Sequence, residues 1–510
     1  MKFFFRAEGY KKGIVYSILF SAIAKLTAFL NIALIAYIFG TNGQSDVYFF
    51  ILNAIQLISF LISVMESTVI IPESMRLREQ VGKDESMLFV NYFFKLYFII
   101  GIIVTIIIFI NPLFLFSHFS GFNKTLLLEN KYLLYGSPLL LLLIIYSNLL
   151  SEVLSSYMYF TTPMIVNIIN NITSVVFLLS THKYLGILSV LLGLMIGYLI
   201  NILFLVYHLI SSLGWKFRFP GYSLTSAVKK NLLYAHIGNI TGFIYNYFGL
   251  YLLSFLGTGV VSAMSYGKRL SDVPNHVICG QFSSVLGIKF NNEFARGDLV
   301  SLNNTLVRGL KILLFIVTPI ATYSFLFSDN IIHLLLARGA FNAFSIKESS
   351  LFFKYFILCL PFIAINTVMA RFFMSIQHVR FSSAIQILFA ISNVILLLFL
   401  IHTYKEIGYV LSFLFSYFLI TIIYLYINFR FIKYIDYFSV FIYLIKVFII
   451  NIILGYVVYS MIHILFHQLL WNLFFGFLFY FILLIFLNSL FSINTDIRFF
   501  IIEKLKKIIL

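Results

Sequence analysis

Along this chain, runs of about twenty or more apolar residues alternate with shorter polar segments. A helix needs about twenty apolar residues to cross the hydrocarbon core of a bilayer, because each residue adds about 1.5 Å. The runs predict helices over 14–39, 47–71, 89–115, 133–157, 162–181, 185–210, 232–256 and 259–288. Six more follow over 308–328, 350–372, 380–401, 406–427, 438–461 and 469–492. The division within 162–210 rests on the four residues Thr181-His-Lys-Tyr184 alone. The fold class expected is an all-α polytopic membrane protein of about 14 transmembrane helices. The connecting segments are short, about seventeen residues for the 116–132 loop, so no extramembrane domain is expected.

Composition makes lipid the solvent. Of 510 residues, 61% are hydrophobic and 10% charged, against about 25% charged in soluble domains. A soluble core could not bury that much apolar surface. Cys279 and Cys359 sit in apolar runs, with a spacing that suits neither a metal site nor a disulfide framework, so both are packing residues.

The net charge is +17, and its placement orients the chain. Basic residues fall in the short segments between runs and lack the aromatic-basic pattern of nucleic-acid modules, so nucleic acid is not an expected partner. The basic segment Met1–Lys12 precedes an apolar run too long for a cleaved signal peptide and reads as the flank of the first span. With fourteen spans both termini share a side. That side takes 22 Lys and Arg, among them Lys2, Arg6, Arg76, Arg78, Lys83, Lys216, Arg218, Arg296 and Arg498. The other side takes 6, namely Lys124, Lys131, Lys183, Arg338, Lys347 and Lys405. Positive charge stays in the cytoplasm, so both termini are expected to be cytoplasmic.

The chain also resembles itself. Arg78-Glu-Gln-Val-Gly-Lys-Asp84 parallels Asn292-Glu-Phe-Ala-Arg-Gly-Asp298, and Pro138 parallels Pro361. Asn167, Asn170 and Asn171 parallel Gln386 and Asn393. The expected organisation is a six-helix lobe over 1–212, a second over 213–430, and a two-helix segment with a basic tail over 431–510. Repeats meeting at a central site are the usual build of alternating-access carriers.

Charges within spans are costly and mark cavities or partners. Lys25 lies in the first span with Asn31 nearly two turns on; Glu66 and Glu152 lie late in spans two and four. His236, near the start of span seven, reads as interfacial, and Lys311 and Lys446 as snorkelling from span ends. Span eight carries Lys268, Arg269, Asp272 and His276, where Asp272 can neutralise either cation at i,i+4 or i,i+3. Lys25 and Arg269 are the candidates for an anion cavity, the Arg fork suiting a diphosphate. An internal ion pair that only orients helices is the competing reading. Ser45 or Asp46, after the turn Gly40–Ser45, can cap span two, and a gating contact for Asp46 stays open.

Four stretches then resemble the MurJ/MviN family of lipid II flippases, within the multidrug/oligosaccharidyl-lipid/polysaccharide exporter superfamily. These are Gly257-Thr-Gly-Val-Val-Ser-Ala-Met-Ser-Tyr-Gly-Lys-Arg-Leu-Ser-Asp-Val-Pro274, Ile38-Phe-Gly40 with Ser45 and Asp46, Glu293-Phe-Ala-Arg-Gly-Asp298 and Ala337-Arg-Gly-Ala-Phe-Asn-Ala343. The resemblance implies a two-lobed carrier that moves an undecaprenyl-diphosphate-linked saccharide across the bacterial cytoplasmic membrane, with membrane lipids as its other contacts. It places Lys25 at the first cavity arginine of the family and Arg269 at the one on span eight. Asn31 stands where a second arginine is expected, and Ile55-Gln-Leu-Ile-Ser-Phe60 replaces a Pro-Asn-Leu-Leu-Arg segment. A related glycan carrier would keep the anionic anchor and change the sugar contacts. Asn31, Asp46, Lys268 and Asp272 are expected to support the cavity or a gate.

The expected function is therefore a flippase of monomeric form and without cofactor. It does no covalent chemistry, and no Walker-type loop for ATP is found. A drug or metabolite exporter of the same superfamily would draw on Glu66 and Glu152. A glycan polymerase or glycosyltransferase would need paired or metal-binding acids at a membrane face, and no Asp-x-Asp occurs.

Overall fold

The apolar runs become helices because a backbone in lipid has to satisfy its own hydrogen bonds. The structure is a computed structural model describing residues 10–159, 161–219, 221–376, 378–431, 437–466, 468–499 and 503. The described residues form helices, turns and bends, with no strand among them. Ten helices are long and apolar enough to cross a membrane, or eleven if one bent pair counts as a span. Each predicted run falls on helix. Lys2, Arg6, Lys433, Lys504, Lys506 and Lys507 lie outside the described residues, as do the side chains of Lys11, Lys12, His236, Arg380 and Arg430.

The chain forms two compact units, residues 1–262 with 338–341, and residues 263–337 with 342–510. The seventh predicted run, 232–256, belongs to the first unit.

In the first unit, α1 (Tyr10–Phe39) is followed by α2 (Gly43–Met65), a π turn at Glu66–Ile70, and α3 (Ile71–Gln80). Next come α4 (Lys83–Ile110), the short α5 (Pro112–Phe119) and α6 (Lys124–Glu129), and α7 (Lys131–Ser156). The unit closes with α8 (Thr161–Leu185), α9 (Leu188–Leu213) and α10 (Ser226–Leu253). The 116–132 loop is thus largely two short helices, held by α10: Tyr247 donates to the Phe119 carbonyl (2.8 Å) and Ser254 accepts from the Gly121 N–H (2.7 Å). The break between α8 and α9 lies at Gly186, two residues beyond Tyr184, where glycine takes φ +55. That left-handed conformation ends helices at little steric cost only for glycine.

Burial in this unit follows lipid rather than water. On α4 the buried residues include Ser86 and Asn91, whereas Ile99, Ile103, Ile106, Ile107 and Ile110 are exposed. Asn91 has a structural role. It accepts from the Trp215 indole (3.0 Å) and donates to the carbonyls of Lys216 (2.7 Å) and Arg218 (3.0 Å), fixing the segment after α9.

The second unit contains most of α11 (Val260–Pro274), a π turn at Asn275–Cys279, and α12 (Gly280–Ala295). Then follow α13 (Leu299–Leu326), α14 (Ser328–Leu336), α15 (Ala343–Ile357) and α16 (Leu360–Ser375). The last elements are α17 (Val379–Phe431), α18 (Tyr437–Leu465) and α19 (Leu469–Phe491). Predicted span ten is α15 and α16 with a 43° bend between them, just before Pro361. Proline has no N–H to continue the ladder. Within α17 the helix breaks at Lys405 (φ 51), the gap between predicted spans eleven and twelve. Cys279 and Cys359 are free thiols, both buried.

Candidate functional site

The turn entering α2 is built from local polar chemistry. Asn42, not Ser45 or Asp46, is the cap: its side chain accepts from the Ser45 N–H (2.9 Å), and the Ser45 hydroxyl accepts from the Asn42 N–H (2.9 Å). This reciprocal box leaves Asp46 available to a more distant partner. Its carboxylate is fully buried. One oxygen accepts from the Ser262 N–H (2.8 Å) and hydroxyl (2.7 Å), the other from the Gly259 N–H. Gly259 has no side chain to cap α11, so Asp46, 213 positions earlier, supplies the anion that the helix N-terminus favours.

The same turn receives a third segment. The Ala340 N–H donates to the Tyr37 carbonyl (2.7 Å). Gly40 (φ +57) and Gly339 (φ +62) face backbone so closely that an added Cβ would meet the Ala340 and Tyr37 carbonyl oxygens. All of these residues belong to the first unit. Three stretches singled out in the sequence, Tyr37–Asp46, Gly257–Ser262 and Arg338–Phe341, therefore meet in one junction made largely of backbone.

On α1 the expected cavity residues separate. Lys25 is exposed. Asn31, six residues on, is buried and accepts from Ser174 of α8 (3.3 Å). Six residues turn a helix by about 600°, so the two do not share a face. In this structure Asn31 holds α1 to α8, aided by Asn171 reaching the Ala24 carbonyl and Thr27 hydroxyl (3.4 Å each).

In the second unit, α11 lies close on α15. A Cβ on Gly267 would sit 2.7 Å from the Ser349 carbonyl oxygen and the Phe353 nitrogen. That approach buries Ala263, Met264 and Tyr266 and leaves Lys268, Arg269 and Asp272 half-buried. Lys268 pairs with Asp272 at 3.0 Å and lies 5.1 Å from the centre of the Phe356 ring. Of the two pairings open to Asp272, the structure has the one with Lys268. Lys25 belongs to the first unit and Arg269 to the second. Among the described residues no group of three His, Cys, Asp or Glu is placed to hold a metal ion. A hollow in the first unit lined by Phe50, Ile55, Ile58, Val104, Phe116 and Tyr247 is apolar and offers an anion nothing.

Sequence reasoning missed the partners of Asp46, and the role of Asn91. It also missed that Gly193 and Gly197 are packing glycines. A Cβ on them would come within 2.8 Å of Ser174 Cα and 2.9 Å of Asn170 Cα on α8. The Gly-x-x-x-Gly spacing in an apolar run was the available signal.

The chain is similar to known proteins along most of its length. The family profile described as Lipid II flippase MurJ matches residues 35–483. A probable lipid II flippase MurJ of Borreliella burgdorferi is 25% identical over 389 residues, covering 75% of this chain and 76% of its own. Its counterpart in Buchnera aphidicola subsp. Schizaphis graminum is 24% identical, covering 79% and 80%. A solved lipid II flippase MurJ in an inward closed conformation superposes with TM-score 0.78 at 20% identity, over 94% of this chain and 98% of that one. An inward-facing multidrug resistance MATE transporter of the MOP superfamily superposes with TM-score 0.64 at 16% identity, over 80% and 98%.

Proposed function

The chain belongs to the lipid II flippase MurJ family, whose profile runs through most of its length, and from that premise we propose that it flips a polyprenyl-diphosphate-linked saccharide. Lipid II, or a closely related cell-surface glycan precursor, moves from the inner to the outer leaflet of a bacterial cytoplasmic membrane. The mechanism is alternating access by a monomer without cofactor or covalent step. The observation that carries the reading is the junction of Tyr37–Asp46, Gly257–Ser262 and Arg338–Phe341: three of the four stretches that resemble the family's motifs contribute the backbone that interlocks there. Asp46 acts there as a gate contact, made in one state of the cycle and broken in another.

The reading includes fourteen spans. To the ten long apolar helices we add the bent pair α15–α16, the division of α17 at Lys405, the helix α10, and the continuous α11–α12 element. Both termini are then cytoplasmic. The repeat of 1–212 in 213–430, with 431–510 as an added pair, draws support from features at matching places. A π turn occurs at Glu66–Ile70 and again at Asn275–Cys279. Asn170 accepts from Asn201, and Asn393 donates to Ser412 (3.5 Å).

Lys25 and Arg269 contact the diphosphate, Lys25 as a point charge and Arg269 as a fork. Lys268, neutralised by Asp272, shapes the α11 face. The test is translocation of lipid-linked sugar in cells depleted of their own flippases, comparing wild type, Lys25→Ala and Arg269→Ala. Each single variant is expected to lose at least tenfold, since a charge-assisted contact is worth about 1.5–3 kcal/mol. Full activity in both variants refutes the anion contacts.

A further inference from the structure

Two fully buried acids stand on α2 and the turn that extends it, and their surroundings differ. Asp46 accepts hydrogen bonds from Gly259 and Ser262. Glu66, at the start of the π turn, is equally buried, yet neither carboxylate oxygen has a hydrogen bond of ordinary geometry. Its polar neighbours are the Ser63 hydroxyl one turn earlier, the Tyr97 hydroxyl from α4 and the Glu152 carboxyl from α7. Tyr97 is itself buried, and its hydroxyl beside Glu66 is likewise without an ordinary hydrogen bond. The amide of Asn148, which could have served the carboxylate, donates to Ser59 (3.1 Å) and Ser63 (3.0 Å) instead.

The charged groups of the surrounding elements are engaged elsewhere. On α3, Glu73 pairs with Arg76 at 2.6 Å, Arg78 lies 4.0 Å from the centre of the Tyr157 ring and donates to the Ser156 carbonyl, and Glu79 is exposed. On α4, Lys95 is exposed and sits two residues from Tyr97, on another face. On α10, Lys229 and Lys230 are exposed, and the side chains of 231 and 234–238, Tyr234 and His236 among them, lie outside the described residues. None of the described basic groups is a neighbour of Glu66.

An ionised carboxylate in such a place is costly unless paired, and two adjacent carboxyls cannot both ionise cheaply. A proton resolves both conflicts and needs no coordination shell. A hard metal cation such as calcium takes about six to eight oxygens. Glu66, Glu152, Ser63 and Tyr97 hold about six between them, a bare shell only if both carboxylates were bidentate and both hydroxyls turned to the ion, and the Ser63 hydroxyl already accepts from Asn148. We propose that Glu66, with Glu152 and Tyr97 beside it, binds and releases one proton during the transport cycle. The proton is exchanged with water and adds to a Glu66 carboxylate oxygen; when it leaves, Tyr97 donates to the oxygen it left. Proton binding stands on this site alone, whereas its coupling to transport rests on the flippase reading.

Infrared difference spectroscopy of the full chain in lipid nanodiscs reads the site without any cargo. The wild type is expected to show a carboxylic acid carbonyl band that vanishes as pH rises. Glu66→Gln removes it, Glu152→Gln keeps it with a moved midpoint, and Tyr97→Phe keeps it at a shifted frequency. A wild type without such a band, or a band untouched in Glu66→Gln, overturns the proposal; Tyr97→Phe still reads the site if Glu66→Gln folds poorly. In proteoliposomes holding a fluorescent polyprenyl-diphosphate-linked saccharide, a pH gradient is expected to raise flipping severalfold in wild type and not in Glu66→Gln. Acceleration by a sodium gradient alone overturns the coupling. A wild type that flips nothing under any gradient refutes the cargo instead, and the spectrum still decides the proton site.

Discussion

At the scale of single residues, Asp46 shows what a one-dimensional reading can reach. Its place in the first turn of a helix indicates capping, and the acceptor is correct, but the helix it serves begins more than two hundred residues later. Asp46→Asn keeps one acceptor and turns an NH2 toward the other N–H, leaving a buried donor unpaired at about 1–3 kcal/mol. The expected outcome is a lower thermal midpoint of the purified protein together with weakened lipid translocation; an unchanged Asp46→Asn in both assays removes the gate role. Gly339 tests the backbone part of the same junction, and Gly214 is its matched control. Both hold a left-handed backbone, φ +62 and +61, but an added Cβ at Gly214 meets nothing within 4 Å, whereas at Gly339 it meets the Tyr37 carbonyl. Gly214→Ala should therefore cost only about 1–2 kcal/mol of conformational strain. Gly339→Ala should cost clearly more and reduce translocation. Equal thermal midpoints for the two variants would mean that the close approach is not needed. Lys25 and Arg269 were legible as charges in apolar runs, while the burial of Asn31 against Ser174 was not, because it depends on which helix packs on which face.

Elements were the most legible scale, because length and apolarity alone decide whether a segment can cross a bilayer. The break at Lys405 falls in the gap expected between spans eleven and twelve, and the one at Gly186 two residues past the expected division, whereas the bend before Pro361 lies inside a run read as one span, although proline gives it a chemical cause. The π turns at Glu66–Ile70 and Asn275–Cys279 have no sequence signature of their own; each adds one residue to a turn, and such bulges concentrate at functional sites. The pairing of α8 with α9 was open to reading and rests on Gly193 and Gly197. In lipid, helices associate by close packing rather than by hydrophobic exclusion. Branched side chains there force the backbones apart and stretch the hydrogen bonds of Asn201 to Asn170 and to the Val166 carbonyl. The double variant Gly193→Val with Gly197→Val is thus expected to lose at least 2 kcal/mol, on the order of an overpacked core. Thermal unfolding in detergent measures it, and Gly186→Ala, with nothing within 4 Å of its added Cβ, bounds the effect of glycine loss alone. A double variant no less stable than that control would show that the α8–α9 contact tolerates separation.

For the molecule as a whole, the number of spans and the side of each loop are one claim, since an odd error in the count reverses every later loop. The charge asymmetry supports fourteen because it survives along the whole chain. Lys124 and Lys347 fall among the few basic residues of one side, Lys216 and Arg296 among the many of the other. All four positions can be probed, because Lys124, Lys216, Arg296 and Lys347 are exposed. The background is also available: Cys279 and Cys359 are both buried and can be replaced by serine or alanine. Single cysteines at 124 and 347 should react with a membrane-impermeant maleimide added to intact spheroplasts. Those at 216 and 296 should react only after the membrane is permeabilised. Between 124 and 216 lie the runs 133–157, 162–181 and 185–210, and an odd number of crossings puts the two cysteines on opposite sides. Same-side labelling of that pair would mean an even number, the result expected if α8 and α9 together crossed only once rather than as two spans divided at Gly186. Between 216 and 296 the runs 232–256 and 259–288 return the chain to its starting side, so opposite labelling there would remove either α10 or the α11–α12 element from the count. From 296 to 347 one crossing is expected, through α13, and same-side labelling of these two would mean that α13 does not cross. The pattern outer, inner, inner, outer therefore fixes six spans at once, the ones on which the orientation of everything after them depends.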